Sequence, residues 1–206
     1  MDLQRTEAWH QQRLGRVTAS RVADIVAKTK TGYSTSRMNY MAELICERLT
    51  GVQGASYSSS AMIWGTATEP MARAAYEGTV GALVIETGFV PHISIPMAGA
   101  SPDGLIGDDG LVEIKCPITA THIETLLGQS VPGRYNTQMQ WQMACTGRKW
   151  CDFVSYDPRM PEGMQIFIKR VDRDNVAIAE LEREVVNFIN ELDSKIIQLK
   201  EKTGGI

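Results

Sequence analysis

No stretch of the 206 residues approaches the roughly 20 consecutive apolar positions that crossing a bilayer requires, so no membrane span is expected. The leading MDLQRTEAWHQQRLG lacks the apolar core of a secretory signal, and a cytoplasmic protein is expected. Cysteine is scarce: Cys46, Cys116, Cys145 and Cys151 form no C-x-x-C or zinc-type pairing, which argues against a disulfide framework and predicts free, mostly buried thiols. Histidine is scarcer still, and His10, His92 and His122 are too scattered to read as metal ligands. Repeats, low-complexity tracts and long linkers are missing too, so a single domain over 1–206 is expected. Nor is there a large charge of one sign, since the net charge of −3 does not by itself select a polyanion partner.

The charge that is present is unevenly placed. Residues 1–40 carry seven Arg and Lys against the acids Asp2, Glu7 and Asp24, whereas the chain from Val171 onward carries eight acids against five bases. A basic leading segment on an acidic body suits a nucleic-acid channel, and ordinary surface scatter gives the same counts.

The first half reads as helical. In SRVADIVAK, Val22, Ile25 and Val26 recur at helical spacing with Thr18 or Ser20 as N-cap; in SRMNYMAELICERLTG, Met38, Met41, Ile45 and Leu49 form a stripe that Gly51 ends. A third helical region covers about 60–77, where Pro70 either starts a helix or kinks one beside Glu69. The period then changes: ALVIETGFVPHISI and GLVEIKC read as strands, with GDDG between Ile106 and Leu111 as a hairpin turn. Helices at about 119–128 and 134–145 and strands at CDFVSYD and MQIFIKRV follow. A closing helix turns Val176, Leu181, Val185, Phe188, Ile189, Leu192 and Ile196 inward. The sum is a mixed α/β domain with one small central sheet. Trp64, Trp141 and Trp150 read most simply as core anchors.

The densest chemistry lies in SPDGLIGDDGLVEIKCP, with four carboxylates and one lysine between Ser101 and Pro117. Strand alternation puts Glu113 and Lys115 on one face and Val112, Ile114 and Cys116 on the other. Pairing of SPDGLI with LVEIK across the turn brings Asp103 opposite or nearly opposite Glu113, while Asp108 and Asp109 belong to the turn itself. Two carboxylates held together repel, and a divalent cation offsets that cost; an oxygen donor set suits Mg²⁺ or Mn²⁺ and not zinc. Against this, E-x-K on a strand is equally a surface charge ladder.

Pro102-Asp103, with Glu113 ten residues after Asp103 and then Lys115, matches the PD-(D/E)-x-K nuclease pattern. Six blocks in order, AWHQQRLGRVTAS, WGTATEPMAR, SPDGL, EIKCP, QMQWQM and YDPRM, resemble the bacteriophage-lambda-exonuclease or YqaJ-type viral recombinase family over roughly 9–160. The resemblance implies a restriction-endonuclease-like α/β core, a small mixed central β-sheet flanked by helices. It implies a processive 5′-to-3′ exonuclease on linear duplex DNA, using two Mg²⁺ ions with Mn²⁺ able to substitute. The products are 5′-mononucleotides and 3′ overhangs for strand-annealing recombination in a bacterial host.

The same resemblance makes Asp103, Glu113, Glu69 and the Ile114 carbonyl metal ligands and Lys115 the catalytic lysine. Arg13, Ser20 and Ser101, with Lys115, then hold the 5′-phosphate of the digested strand, and Met62 is an apolar wedge at the terminal base pairs. The residues themselves tolerate these roles: Arg13 just before a helix start makes a credible anion site, although an N-cap serine beside a surface arginine is equally ordinary. On sequence alone Met62 reads as core. Gln138 and Gln140 match a Q-x-Q near the metals, but residues two apart on a helix diverge, so at most one reaches the site, and Gln140 is the one expected. A homotrimeric ring and a single-strand annealing partner are also implied. The competing readings are a restriction- or junction-type endonuclease and a catalytically silent DNA-end-binding module; the joint presence of Asp103, Glu113 and Lys115 weighs against the last.

Overall fold

The computed structural model describes residues 4–54 and 59–204. In chain order the elements are α1 (Glu7–Arg13), β1 (Val17–Thr18), α2 (Ala19–Val26), β2 (Lys28–Thr29), β3 (Gly32–Tyr33), α3 (Thr35–Thr50) and α4 (Ser60–Val80). Then come β4 (Val90–Pro91), β5 (Ala98–Ala100), β6 (Gly104–Ile106), β7 (Gly110–Lys115), α5 (Thr119–Gly128), α6 (Gly133–Thr146), β8 (Trp150–Tyr156), β9 (Ile166–Asp172) and α7 (Asn175–Lys202).

The principal sheet has the order β6-β7-β8-β9, with β7 antiparallel to β6 and parallel to β8. Its alternation assigns each face a helix. Val112, Ile114 and Cys116 pack with Ala72 and Tyr76 of α4, and Leu111 and Phe153 pack with Met139 and Met143 of α6. Glu113 therefore points toward α6 while its neighbours Val112 and Ile114 point toward α4. On the far side of α6 a second core gathers Trp141 and Cys145 with Val22 and Ile25 of α2, Tyr40 and Leu44 of α3, and Phe188 and Leu192 of α7. Every residue from Met139 to Cys145 is buried, so α6 is the axle between the two cores and its polar side chains must find partners inside the protein.

Two small sheets accompany the principal one, β1-β5-β4 and the β2-β3 hairpin, in place of the single sheet expected. Most of ALVIETGFVPHISI is not strand: only Val90–Pro91 and an isolated bridge from Ile85 to Leu105 pair. Its β-branched residues mislead because Ile85 and Ile93 are exposed and pack against little. In α3 the stripe is rotated: Met38 and Leu49 are exposed, and Tyr40, Met41, Leu44 and Glu47 form the buried face. Val176 of α7 is exposed too, with Ile178 buried in its place. Gly51 ends α3 in the left-handed conformation as expected. Cys116, Cys145 and Cys151 are buried free thiols and Cys46 is an exposed one. No helix among the described residues is long and apolar enough to cross a membrane.

Candidate active site

The register Gly104↔Val112, Leu105↔Leu111 and Ile106↔Gly110 carries the chain around the GDDG turn and sets Asp103 beside the end of β7. There Asp103 Oδ2 accepts a hydrogen bond from the Ile114 amide at 2.7 Å. Glu113, 1% exposed, is held by three donors: the Lys115 ammonium and the Gln138 amide (2.6 Å) on Oε1, and the Gln142 amide (2.5 Å) on Oε2. Burial and then the Glu113 charge push the Asp103 carboxyl well above its usual range, with Lys115 opposing them. Burial alone would lower the Lys115 ammonium, but Glu113 and Asp103 outweigh it and hold its pKa above the ordinary lysine value. Two carboxylates share one cation.

Glu69 approaches from α4 into the same cleft, a cavity of about 420 Å³ that Asp103, Ile114, Lys115 and Tyr135 also line. Pro70 sits inside one continuous α4; it has no N–H to offer the Thr66 carbonyl, and the helix runs on regardless. The Glu69 carboxylate is paired with Arg5 and, at 3.3 Å, with Arg73, which is itself paired with Glu86. Among the described residues no three His, Cys, Asp or Glu side chains converge closely enough to enclose an ion. The donor chemistry nevertheless fits a hard divalent cation: Asp103 and Glu69 line the cleft, the Glu113 carboxylate is buried beside Asp103, and the Asp103–Glu113 repulsion is what such an ion neutralises.

A second cavity of about 290 Å³ shares Met62 with the first and is lined by Arg13, Arg16, Thr18, Ser20 and Arg21, with the carboxylates of Glu43, paired to Arg21, and Glu47, bound to the Gly15 amide, on its wall. Its geometry starts at Gly15, whose left-handed φ of +67° turns the chain between α1 and β1 and whose amide donates to Glu47 Oε2 at 2.8 Å. A side chain at Gly15 would meet Arg48 Cγ at 2.8 Å. The turn sets the Arg13 guanidinium 4.2 Å from the Trp9 ring and 3.2 Å from Ser101 Oγ, to which the Trp9 indole also donates at 2.9 Å. Ser101 thus accepts twice and keeps its own proton to donate. Burial, foremost, holds the Arg13 pKa below the ordinary value, and among the described residues Arg13 forms no ion pair. A desolvated cation of this kind favours an incoming anion. Ser20 is not the cap of α2; it lies in the first turn after Thr18, which makes no side-chain cap bond. Met62, 56% exposed, lines both cavities and is not a core residue.

One expectation is corrected. Gln140 faces away from the carboxylates: its amide donates to the Asp172 carbonyl at 2.8 Å and its oxygen accepts from the Asp174 amide at 2.9 Å. Gln138 and Gln142, four apart on one helical face, reach Glu113 instead. The i,i+4 spacing in QMQWQM was the available signal for Gln142. Arg5, Arg73 and Tyr135 carried no signal; they enter through the fold.

A mixed sheet that presents Asp103, Glu113 and Lys115 at one strand end, with an acidic helix laid across it, defines the restriction-endonuclease-like nuclease class. The YqaJ-like viral recombinase domain matches residues 8–149, and the chain belongs to that family. It is similar to the alkaline exonuclease LHK-Exo of Laribacter hongkongensis (54% identity, 97% of this chain and 98% of that one, TM-score 0.91) and to LHK-Exo in complex with dAMP (55%, the same coverage, TM-score 0.91). A phage-related exonuclease of Haemophilus somnus 129PT shares the fold at 16% identity (89% of this chain, 96% of that one, TM-score 0.73). No curated protein matches.

Proposed function

We propose that the chain is a Mg²⁺-dependent 5′-to-3′ exonuclease that digests one strand of linear duplex DNA to 5′-mononucleotides. The observation that carries this is the joined pair of clefts: a carboxylate–lysine site beside an anion site built on Arg13 and Ser101, with Met62 between them. Asp103, Glu113, Glu69 and the Ile114 carbonyl would hold the two ions that the family resemblance implies, and the ions would supply charge neutralisation and an activated water.

The protein's own residues do the rest. Arg13, Ser101 and the first turn of α2 with Ser20 receive the terminal 5′-phosphate and so fix which bond lies over Asp103. Met62 sets the boundary between that phosphate and the scissile position. Lys115, at the strand end beside Glu113 and lining the cleft, stabilises the negative charge that grows on the phosphate oxygens. Gln138 and Gln142 fix the Glu113 carboxylate from the opposite side. The homotrimeric ring and the annealing partner complete this reading on the strength of the family resemblance, and sedimentation of the purified protein tests the ring.

The deciding experiment is digestion of end-labelled linear duplex with and without Mg²⁺, beside closed circular duplex. Nucleotides released from linear DNA only with Mg²⁺, with the circle intact, are expected; a nicked circle replaces the reading by an endonuclease. A 5′-phosphorylated end should be cut faster than a 5′-hydroxyl end, and Arg13→Ala should erase that preference. The helix face gives a further contrast. Gln138→Ala is expected to slow digestion by about 10–100-fold with the melting temperature nearly unchanged, as for other groups that orient metal ligands. Gln140→Ala should instead lower the melting temperature, since it leaves the Asp172 carbonyl and Asp174 amide short of a partner.

A further inference from the structure

An ion pair that closes over the catalytic cleft from outside comes from the leading segment, at Arg5. Arg5 binds Glu69 Oε2 from a side chain that is 51% exposed, while Arg73 reaches Oε1 from a largely buried position where Glu86 also holds it. Of the two guanidiniums, Arg5 is the one free to leave. Its backbone has φ +68°, the left-handed region that costs a non-glycine residue on the order of 1 kcal/mol or more and is kept only where contacts impose it. Those contacts are the Glu69 pair and the Gln4 amide, which donates to the Thr87 carbonyl (3.1 Å) and to the Pro102 carbonyl (2.7 Å), next to Asp103. Arg5 lines both the catalytic cleft and the smaller cavity behind it that Asp103, Glu69 and Arg73 share.

A guanidinium and a divalent ion drawn to the same carboxylate repel each other across so short a span, and each weakens the other's hold on it. We propose that Arg5 competes with the divalent cation for the Glu69 carboxylate, so that filling the metal site and freeing the Arg5 guanidinium into the DNA-facing cleft are one event. The inference rests on the nuclease reading above and deepens it: it makes Arg5 an electrostatic gate on metal loading. Arg73, doubly anchored, stays to orient Glu69, and the released Arg5 carries its charge to the side from which a phosphate arrives.

Direct binding of Mn²⁺, without DNA and without turnover, tests this on the full-length protein by titration calorimetry, with circular dichroism to confirm folding. Removing the competitor should tighten Mn²⁺ binding by roughly 2–5-fold in both Arg5→Ala and Arg5→Gln, the size expected of one partly exposed ion pair. Arg5→Lys keeps the charge and should stay within about twofold of wild type. In a Glu69→Gln background the Arg5 substitutions should change nothing. Equal or weaker Mn²⁺ binding by Arg5→Ala and Arg5→Gln overturns the competition while leaving the nuclease reading intact. A wild-type protein that binds no Mn²⁺ overturns both.

Discussion

Lys115→Ala is expected to slow digestion of linear duplex DNA by about 10²–10⁴-fold, the range in which single electrostatic or proton-handling groups act. Lys115 is the cation that Glu113 and Asp103 share, and before an ion binds those two charges outweigh burial and hold its pKa above the ordinary lysine value. Folding should survive, because Glu113 keeps the Gln138 and Gln142 amides when the ammonium is removed. Asp103→Asn makes the matched test: its carbonyl oxygen can still accept from the Ile114 amide while the charge is gone. Rates of nucleotide release, read beside far-ultraviolet circular dichroism, decide the matter. A folded Lys115→Ala protein that retains full activity sinks the site assignment.

Trp141→Ala is expected to cost about 3–5 kcal/mol of stability, the usual toll of emptying a buried tryptophan site. That is a third or more of what holds many domains folded, and it corresponds to a fall of roughly 10 °C in melting temperature. Trp141 has no exposed surface, its indole donates to the Gly99 carbonyl at 3.3 Å, and the His92 ring stacks on it at 4.9 Å. The surrounding chain has little freedom to fill the void. At Gly99 even a methyl group would come within 2.3 Å of Phe89 and 2.6 Å of the Val90 carbonyl, so that β5 is already pressed against its neighbour. A thermal melt displaced by less than about 2 °C would mean that the two cores do not depend on this side chain.

The site was legible in the sequence where a local rule placed it. Alternation along LVEIK put Glu113 and Lys115 on one face, and a turn of Gly and Asp brought Asp103 beside them, which is the arrangement found. Arg13 and Ser101 were reachable only through the family resemblance, and the fold supplies the physical reason for them: Trp9 and Gly15 hold a desolvated guanidinium against a hydroxyl 88 residues away. What stayed hidden was set by tertiary contact. Counting two residues along α6 correctly separated Gln138 from Gln140, but nothing local said which face of a helix buried all round from Met139 to Cys145 would meet Glu113. Met38 and Val176 show the same limit from the apolar side: a helical stripe fixes a period, and the neighbour that covers it fixes the phase. The segment 82–95 had strand composition without strand partners, and composition cannot report a missing neighbour.

The buried α6 turns chain length into a catalytic variable. One residue advances a helix by about 100°, so a single insertion or deletion between Gln138 and Gln142 would swing one of the two amides off Glu113 and present an apolar side chain to a carboxylate. No compensating surface is available there, because Met139–Cys145 is buried on every side and cannot absorb the error. The spacing from Gln138 to Gln142 therefore acts as a molecular ruler: this part of α6 can change in sequence more readily than in length.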